Sequence, residues 1–164
     1  MSQLKELLLR PPRLTLAVAE SLTSGRLQSR IGAISGASHF FLGGLTAYSL
    51  DQKVRHLAVD RASAAAVNCV SAEVAAQMAR GACELFNSDL ALATTGYAEP
   101  SLEWNVPHPF AWYALAHRRS PDVFFIQTFQ IDCPTLARTA VQDRVADAAL
   151  SALIKHLQDI RSTA

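Results

Sequence analysis

Apolar positions along the chain fall into two periods, and the alternation between them outlines the fold. Leu14 to Ala19 is a short apolar-rich run of strand character that gives way to the polar turn Glu20-Ser21-Leu22-Thr23-Ser24-Gly25. Leu27, Ile31 and Ile34 then recur at helical spacing, so the segment reads as strand, tight turn and helix, half of a β-α-β unit. Upstream, Leu4 to Leu9 predicts a short helix that Pro11-Pro12 ends. Downstream, Phe40 to Tyr48 predicts a second strand around Gly43-Gly44, and Leu50 to Val59 a short helix with Asp51 near its positive end. Ser71 is placed to cap a long helix through Phe86, with Val74, Met78, Ala82 and Leu85 as its apolar stripe. Asp89 to Thr95 predicts a third strand. Gly96 to Pro109 has no period and holds three prolines, two glutamates and Trp104, a loop of the length that is usually functional or mobile in compact domains. Phe110 to His117 and Val123 to Ile131, separated by Arg118-Arg119-Ser120-Pro121-Asp122, predict a hairpin. Ala146, Ala149, Leu150, Leu153, Ile154 and Leu157 predict a final helix, with Pro134 in its first turn.

This order implies an α/β fold: a three-layer α/β/α sandwich with a mostly parallel mixed sheet, in which the late hairpin supplies the antiparallel strand. With neither repeat nor linker, the expectation is one domain over 1–164. At 164 residues and 17.7 kDa it can bury a full core without disulfides or structural metal. Half of the residues are apolar and 18% charged, a globular composition. Fifteen Lys and Arg stand against 14 Asp and Glu, and a net charge of +1 argues against nucleic acid as the main partner. A small ligand or another protein surface fits better. Cys69, Cys83 and Cys133 form no C-x-x-C pair and the five histidines no H-E-x-x-H spacing, so neither a disulfide framework nor a metal site is expected. Met1 to Pro12 lacks the features of a secretory signal, and no run approaches the roughly 20 apolar residues that span a bilayer; no membrane is expected as a partner, and the cytoplasm is the expected compartment.

Ligands of open α/β sheets bind beyond the carboxyl ends of the strands, which directs attention to three segments. The Ser21 to Gly25 turn offers three hydroxyls and helix N-terminal N–H groups, suited to a phosphate or an oxyanion; ordinary helix capping explains the same residues. Lys53, after Tyr48-Ser49-Leu50-Asp51-Gln52, either lies on a solvated helix face or is buried beside Ser21, where desolvation would let the neutral amine take the hydroxyl proton. Thr95-Gly96 ends the third strand and would face the same crevice.

Ala19-Glu20-Ser21-Leu22-Thr23-Ser24-Gly25 resembles the A-E-S-C-T-G-G signature of the CinA-type C-terminal domain, the nicotinamide-nucleotide amidohydrolase family. Leu45-Thr46-Ala47-Tyr48-Ser49, with Lys53 following, is similar to its V-T-Y-S-N-E-x-K. Asn68-Cys69-Val70-Ser71 is similar to G-A-V-S, Met78-Ala79-Arg80-Gly81-Ala82 to M-A-x-G-A, and Thr95-Gly96-Tyr97-Ala98-Glu99-Pro100 to T-G-I-A-G-P. The matches are co-linear from about Arg13 to the last helix. The resemblance implies hydrolysis of the carboxamide of nicotinamide mononucleotide, with Ser21 as nucleophile, Lys53 as general base and Tyr48 as a positioning partner. It implies further that Thr23, Ser24, Gly25, Thr95 and Gly96 contact the substrate, that no cofactor is needed, and that the protein self-associates.

The departures from the pattern cluster. Ser24-Gly25 stands for Gly-Gly, Glu99-Pro100 places a carboxylate where the family has glycine, and a K-P-V-G motif becomes His108-Pro109-Phe110-Ala111. A basic G-D-R before the last helix becomes Ile131-Asp132-Cys133, leaving Arg138 or Arg144 to reach the site from the helix. Three functions follow: an amidase on the mononucleotide, an amidase on another small amide, or a nucleotide- or partner-binding protein without turnover.

Overall fold

The computed structural model describes residues 2–162. Among these residues five strands form one sheet: β1 (Leu16–Glu20), β2 (Phe41–Thr46), β3 (Leu90–Tyr97), β4 (Phe110–Ser120) and β5 (Val123–Asp132). The helices are α1 (Ser2–Leu9), α2 (Arg26–Gly32), α3 (Leu50–Leu57), α4 (Arg61–Ala66), α5 (Ala72–Phe86) and α6 (Arg138–Ser162). The strand order is β2-β1-β3-β4-β5. β1 pairs in parallel with β2 and β3, and β4 pairs antiparallel with both β3 and β5, so four strands share a direction that β4 opposes. This is the mixed α/β sheet expected from the hydrophobic pattern.

The sheet lies between two apolar layers. On one face Leu4 and Leu8 of α1, Leu27 and Ile31 of α2, and Ala146, Leu150, Leu153 and Leu157 of α6 pack on Leu16, Val18, Leu90, Leu92 and Leu115. On the other, Leu57 of α3, Ala64 of α4 and the Val74, Ala75, Met78, Ala79, Ala82 face of α5 pack on Ala19, Ala91, Ala93, Ala114 and Ala116. The fully buried sheet residues are leucine and valine toward the first layer and alanine toward the second, where α5 packs. All five residues of β1 are buried, as a central strand covered on both faces requires.

Three details differ from the periodicity. Val74, Met78 and Ala82 of α5 are buried as expected, but Leu85 is exposed and the stripe widens instead through Ala75, Ala79 and Cys83. α6 begins at Arg138, so Pro134 lies in the turn before it rather than in its first turn. The 96–109 segment is partly ordered: β3 continues to Tyr97, and Ser101 and Val106 exchange backbone hydrogen bonds of 2.9 and 2.8 Å. Ser71 caps α5 as expected, its Oγ accepting the Val74 N–H at 3.1 Å.

Candidate active site

From β1 the chain passes through α2 to β2 on one side and, after α3, α4 and α5, reaches β3 on the other. The C-terminal end of β1 is therefore a topological switch point, where crevices open in α/β sheets. A cavity of about 410 Å³ lies there, lined by Ser21, Tyr48, Lys53, Cys69 and Thr95 among others.

Ser21 follows β1 directly and its N–H donates to the Thr94 carbonyl at 3.0 Å, which extends the strand ladder and fixes the residue. The turn after it is held from within. Glu20 is fully buried; its Oε2 accepts from the Thr23 hydroxyl (2.6 Å) and the N–H groups of Gly25 (3.0 Å) and Leu27 (3.1 Å). Its Oε1 accepts from the Gln28 N–H (2.9 Å) and the Gln28 side-chain amide (3.2 Å). Since a carboxylate only accepts, the Thr23 proton points to Glu20 and the Thr94 hydroxyl donates to Thr23 across 2.7 Å. The chain thus supplies its own anion to the start of α2. This corrects the expectation that the Thr23 hydroxyl and the N–H groups from Gly25 onward receive a substrate: both are already engaged, and Thr23 is completely buried. Ser24 is exposed in a left-handed conformation (φ 49°) and does not line the crevice. Gln142 of α6 donates to the Leu22 carbonyl at 2.7 Å and secures the turn from the far side.

Lys53 occupies a position on α3 where the pattern asks for an apolar side chain, one turn before the buried Leu57. It is 1% exposed, against 8% for Ser21. Its Nζ lies 2.9 Å from Ser21 Oγ and 2.9 Å from each of the Ala47 and Tyr48 carbonyl oxygens. Burial lowers its pKa below the usual 10.5, an effect the neighbouring Cys69 partly opposes. As an ammonium Lys53 gives one N–H to each of these three oxygens; once deprotonated, the amine keeps both carbonyls with its two N–H bonds and turns its lone pair to the Ser21 hydroxyl. Of the two readings of Lys53, the solvated one is excluded.

The opposite wall comes from β3 and the α4–α5 connection. Thr95 Oγ1 donates to the Cys69 carbonyl at 2.6 Å, and Asn68 Nδ2 to the Tyr97 hydroxyl at 3.0 Å. Asn68 and Cys69 both have positive φ, 48° and 62°, a double left-handed bend that these two contacts hold. The Thr95 hydroxyl is thereby engaged in building the wall, while Gly96 lines the crevice floor beside it. Asn68, Cys69 and Tyr97 were not singled out as site residues; the Asn in an otherwise Ala-rich stretch was the available signal for a left-handed turn.

At the rim, Arg138 of α6 donates through Nη1 to Glu99 Oε2 at 2.6 Å and through Nη2 to the Tyr48 hydroxyl at 3.0 Å. Arg138 thus reaches the edge of the site, whereas Arg144 lies beside Tyr113 in a separate groove. Glu99 faces Arg138 rather than open solvent alone. Cys133 is buried with Leu22, Ala98, Val141 and Val145, so the position where the resemblance implies an arginine is an apolar plug behind the Ser21 turn. The structure therefore brings together Ser21, Lys53, Tyr48, Thr95 and Gly96, with Arg138 at the margin, and leaves Thr23 and Ser24 outside. No group of three or more His, Cys, Asp or Glu side chains able to hold a metal occurs among the described residues, and none of their helices is long and apolar enough to cross a membrane.

Known proteins share this fold. A CinA-like protein of Citrifermentans bemidjiense is 51% identical over 94 residues, covering 57% of this chain and 23% of that protein. One of Chlorobium limicola is 48% identical over 88 residues, covering 54% and 20%. The chain thus matches about a fifth of the length of these curated relatives. A competence-damaged protein (CinA) superfamily protein of Klebsiella pneumoniae superposes with a TM-score of 0.85 at 26% identity, covering 96% of this chain and 94% of that one. One of Escherichia coli gives 0.76 at 29% identity, covering 89% and 82%. The family model described as the CinA C-terminal domain matches residues 1–157, the whole of the sheet with its flanking helices, and the chain belongs to that family.

Proposed function

We propose that the chain hydrolyses the carboxamide of nicotinamide mononucleotide to nicotinate mononucleotide and ammonia. One observation carries the reading: a desolvated lysine amine 2.9 Å from a serine hydroxyl at the edge of a crevice of suitable size. An amide is a poor electrophile, so its hydrolysis needs an activated nucleophile and a stabilised oxyanion. Neutral Lys53 takes the Ser21 proton as Oγ attacks the carboxamide carbon, and the carbonyl oxygen becomes the oxyanion. In this reading the N–H of Leu22, the residue after the nucleophile and part of the crevice lining, is the donor to it, in a turn that Gln142 steadies through the Leu22 carbonyl. Collapse breaks the C–N bond, the Lys53 ammonium protonates the departing nitrogen, and ammonia leaves. Water activated by the same amine then cleaves the Ser21 ester, giving the acid and the free hydroxyl.

A second reading, an amidase acting on a different small amide, is favoured by Cys133, whose buried side chain offers a substrate no charge. Ammonia release from the mononucleotide and from unphosphorylated nicotinamide separates the two. In the same assay Ser21→Ala and Lys53→Ala are each expected to lower turnover by at least about 10³-fold. Turnover that survives Ser21→Ala overturns the mechanism.

A further inference from the structure

The crevice is continuous with a side pocket of about 230 Å³, and the two share Leu22, Tyr48, Gly96 and Tyr97. The charged residues lining the combined space are Lys53, Glu99 and Arg138. Lys53 is buried and committed to Ser21, so Arg138 is the cation left to meet an anionic part of a ligand. Its present partner is a carboxylate from its own chain, bound through one oxygen only. Both side chains are substantially exposed, 45% for Arg138 and 60% for Glu99, and ion pairs that remain in water contribute little.

We propose that Arg138 receives the phosphate monoester of the substrate and that Glu99 is a placeholder which the phosphate displaces. The proposal rests on the mononucleotide reading for the identity of the ligand and deepens it by naming the residue that makes binding selective. A guanidinium presents two parallel N–H bonds, and a phosphate oxygen pair accepts both, whereas Glu99 takes one. A phosphate monoester carries nearly two negative charges near neutral pH and the carboxylate one, so the exchange favours the phosphate in both charge and geometry. Until it leaves, Glu99 repels incoming anions and neutralises the cation they need. The bond from Arg138 Nη2 to the Tyr48 hydroxyl keeps the guanidinium at the rim while its partner changes. The carbonyl of Tyr48 holds Lys53, so one residue links the phosphate receptor to the base. Glu99 stands where the family pattern has glycine, which makes this gate a property of this chain.

The full chain, carrying Ser21→Ala to prevent turnover, is titrated by calorimetry with inorganic phosphate, nicotinamide mononucleotide and the unphosphorylated nicotinamide riboside. Adding Glu99→Gln is expected to tighten phosphate and mononucleotide binding by about tenfold, the scale of one charge-assisted contact, with riboside binding unchanged. Adding Arg138→Gln instead is expected to weaken the two phosphorylated ligands by about the same factor and again to spare the riboside. Equal affinity for phosphate with and without Glu99→Gln overturns the proposal, as does a gain that extends to the riboside. Inorganic phosphate contains no amide, so the two claims fail separately. Tightened phosphate binding without any ammonia release from the enzyme with Ser21 intact upholds the gate and removes the amidase reading. Ammonia release with no effect of Glu99→Gln on binding does the reverse.

Discussion

Two nitrogen bases are buried at opposite ends of the sheet, and they differ in what they face. Lys53 stands at the carboxyl end of β1. His117 is near the far end of β4, paired in register with Leu90 at the start of β3, and its Nδ1 lies 2.9 Å from Nε2 of His156 on α6. Burial lowers the pKa of both bases, that of His117 from 6.5 to about 4. The histidine pair is closed off: each ring uses the other, Phe125 stacks on His156, and Arg119 lies over Phe125. Lys53 instead turns toward a hydroxyl that borders open space. A displaced pKa alone therefore does not mark a candidate site; it does so where the buried base, a hydroxyl and a cavity coincide.

The largest expected contrast is in turnover. Lys53→Met keeps the buried stem and removes the amine, and is expected to lower ammonia release by about 10³-fold or more, whereas His117→Phe leaves it within about twofold. An unimpaired Lys53→Met would collapse the distinction. The wild-type pH profile sharpens it: kcat/KM rises as Lys53 loses its proton, with a midpoint below the ordinary lysine value of 10.5.

The histidine end speaks through stability. The folded protein holds His117 neutral while the unfolded chain takes up a proton near 6.5, so stability is full above that pH and falls as pH drops toward about 4. Arg119, His156 and Arg161 disfavour the charged ring, Asp89 favours it, and the depressed pKa of His156, itself facing Arg119 and Asp159, acts in the same direction. Urea unfolding at pH 7.5 and pH 4 is expected to differ by about 3 kcal/mol from this source. Replacing both histidines by phenylalanine should flatten that limb, and an unchanged slope would show that other groups carry it.

The smallest effect tests the support of Lys53. A Cβ on Gly81 of α5 would collide with the Leu57 carbonyl oxygen, which is backbone and cannot swing away, so α3 would shift and carry Lys53 with it. Gly81→Ala is expected to cost about 2 kcal/mol in thermal unfolding and to reduce kcat. Gly32→Ala, whose Cβ meets nothing within 4 Å, is the control and should change neither.

How far the sequence could be read depended on how local the cause was. Ser71 capping α5 is a short-range pattern and was legible, whereas the sequence left Lys53 open between a solvated face and burial, because only the fold brings Ser21 beside it. α4 was not, because Arg61 to Ala66 carries no large apolar residue from which a stripe could be recognised. Leu85 misled because periodicity counts hydrophobicity, while the alanine-lined sheet selected the small side chains of α5 for close packing. The role of Glu20 was hidden for a different reason. Its five contacts fall three to eight residues downstream, and only the folded turn shows that the carboxylate next to Ser21 belongs to the scaffold.

That internal carboxylate has a consequence for how such a protein can change. With the corner after β1 closed by its own charge, Ser21 does not depend on a ligand to be held in place. The residues proposed to select the ligand, Glu99 and Arg138, sit on a separate loop and on the start of α6. Substitutions at that margin can redirect the protein to other molecules without loosening the reacting pair, so its chemistry and its selectivity are free to evolve at different rates.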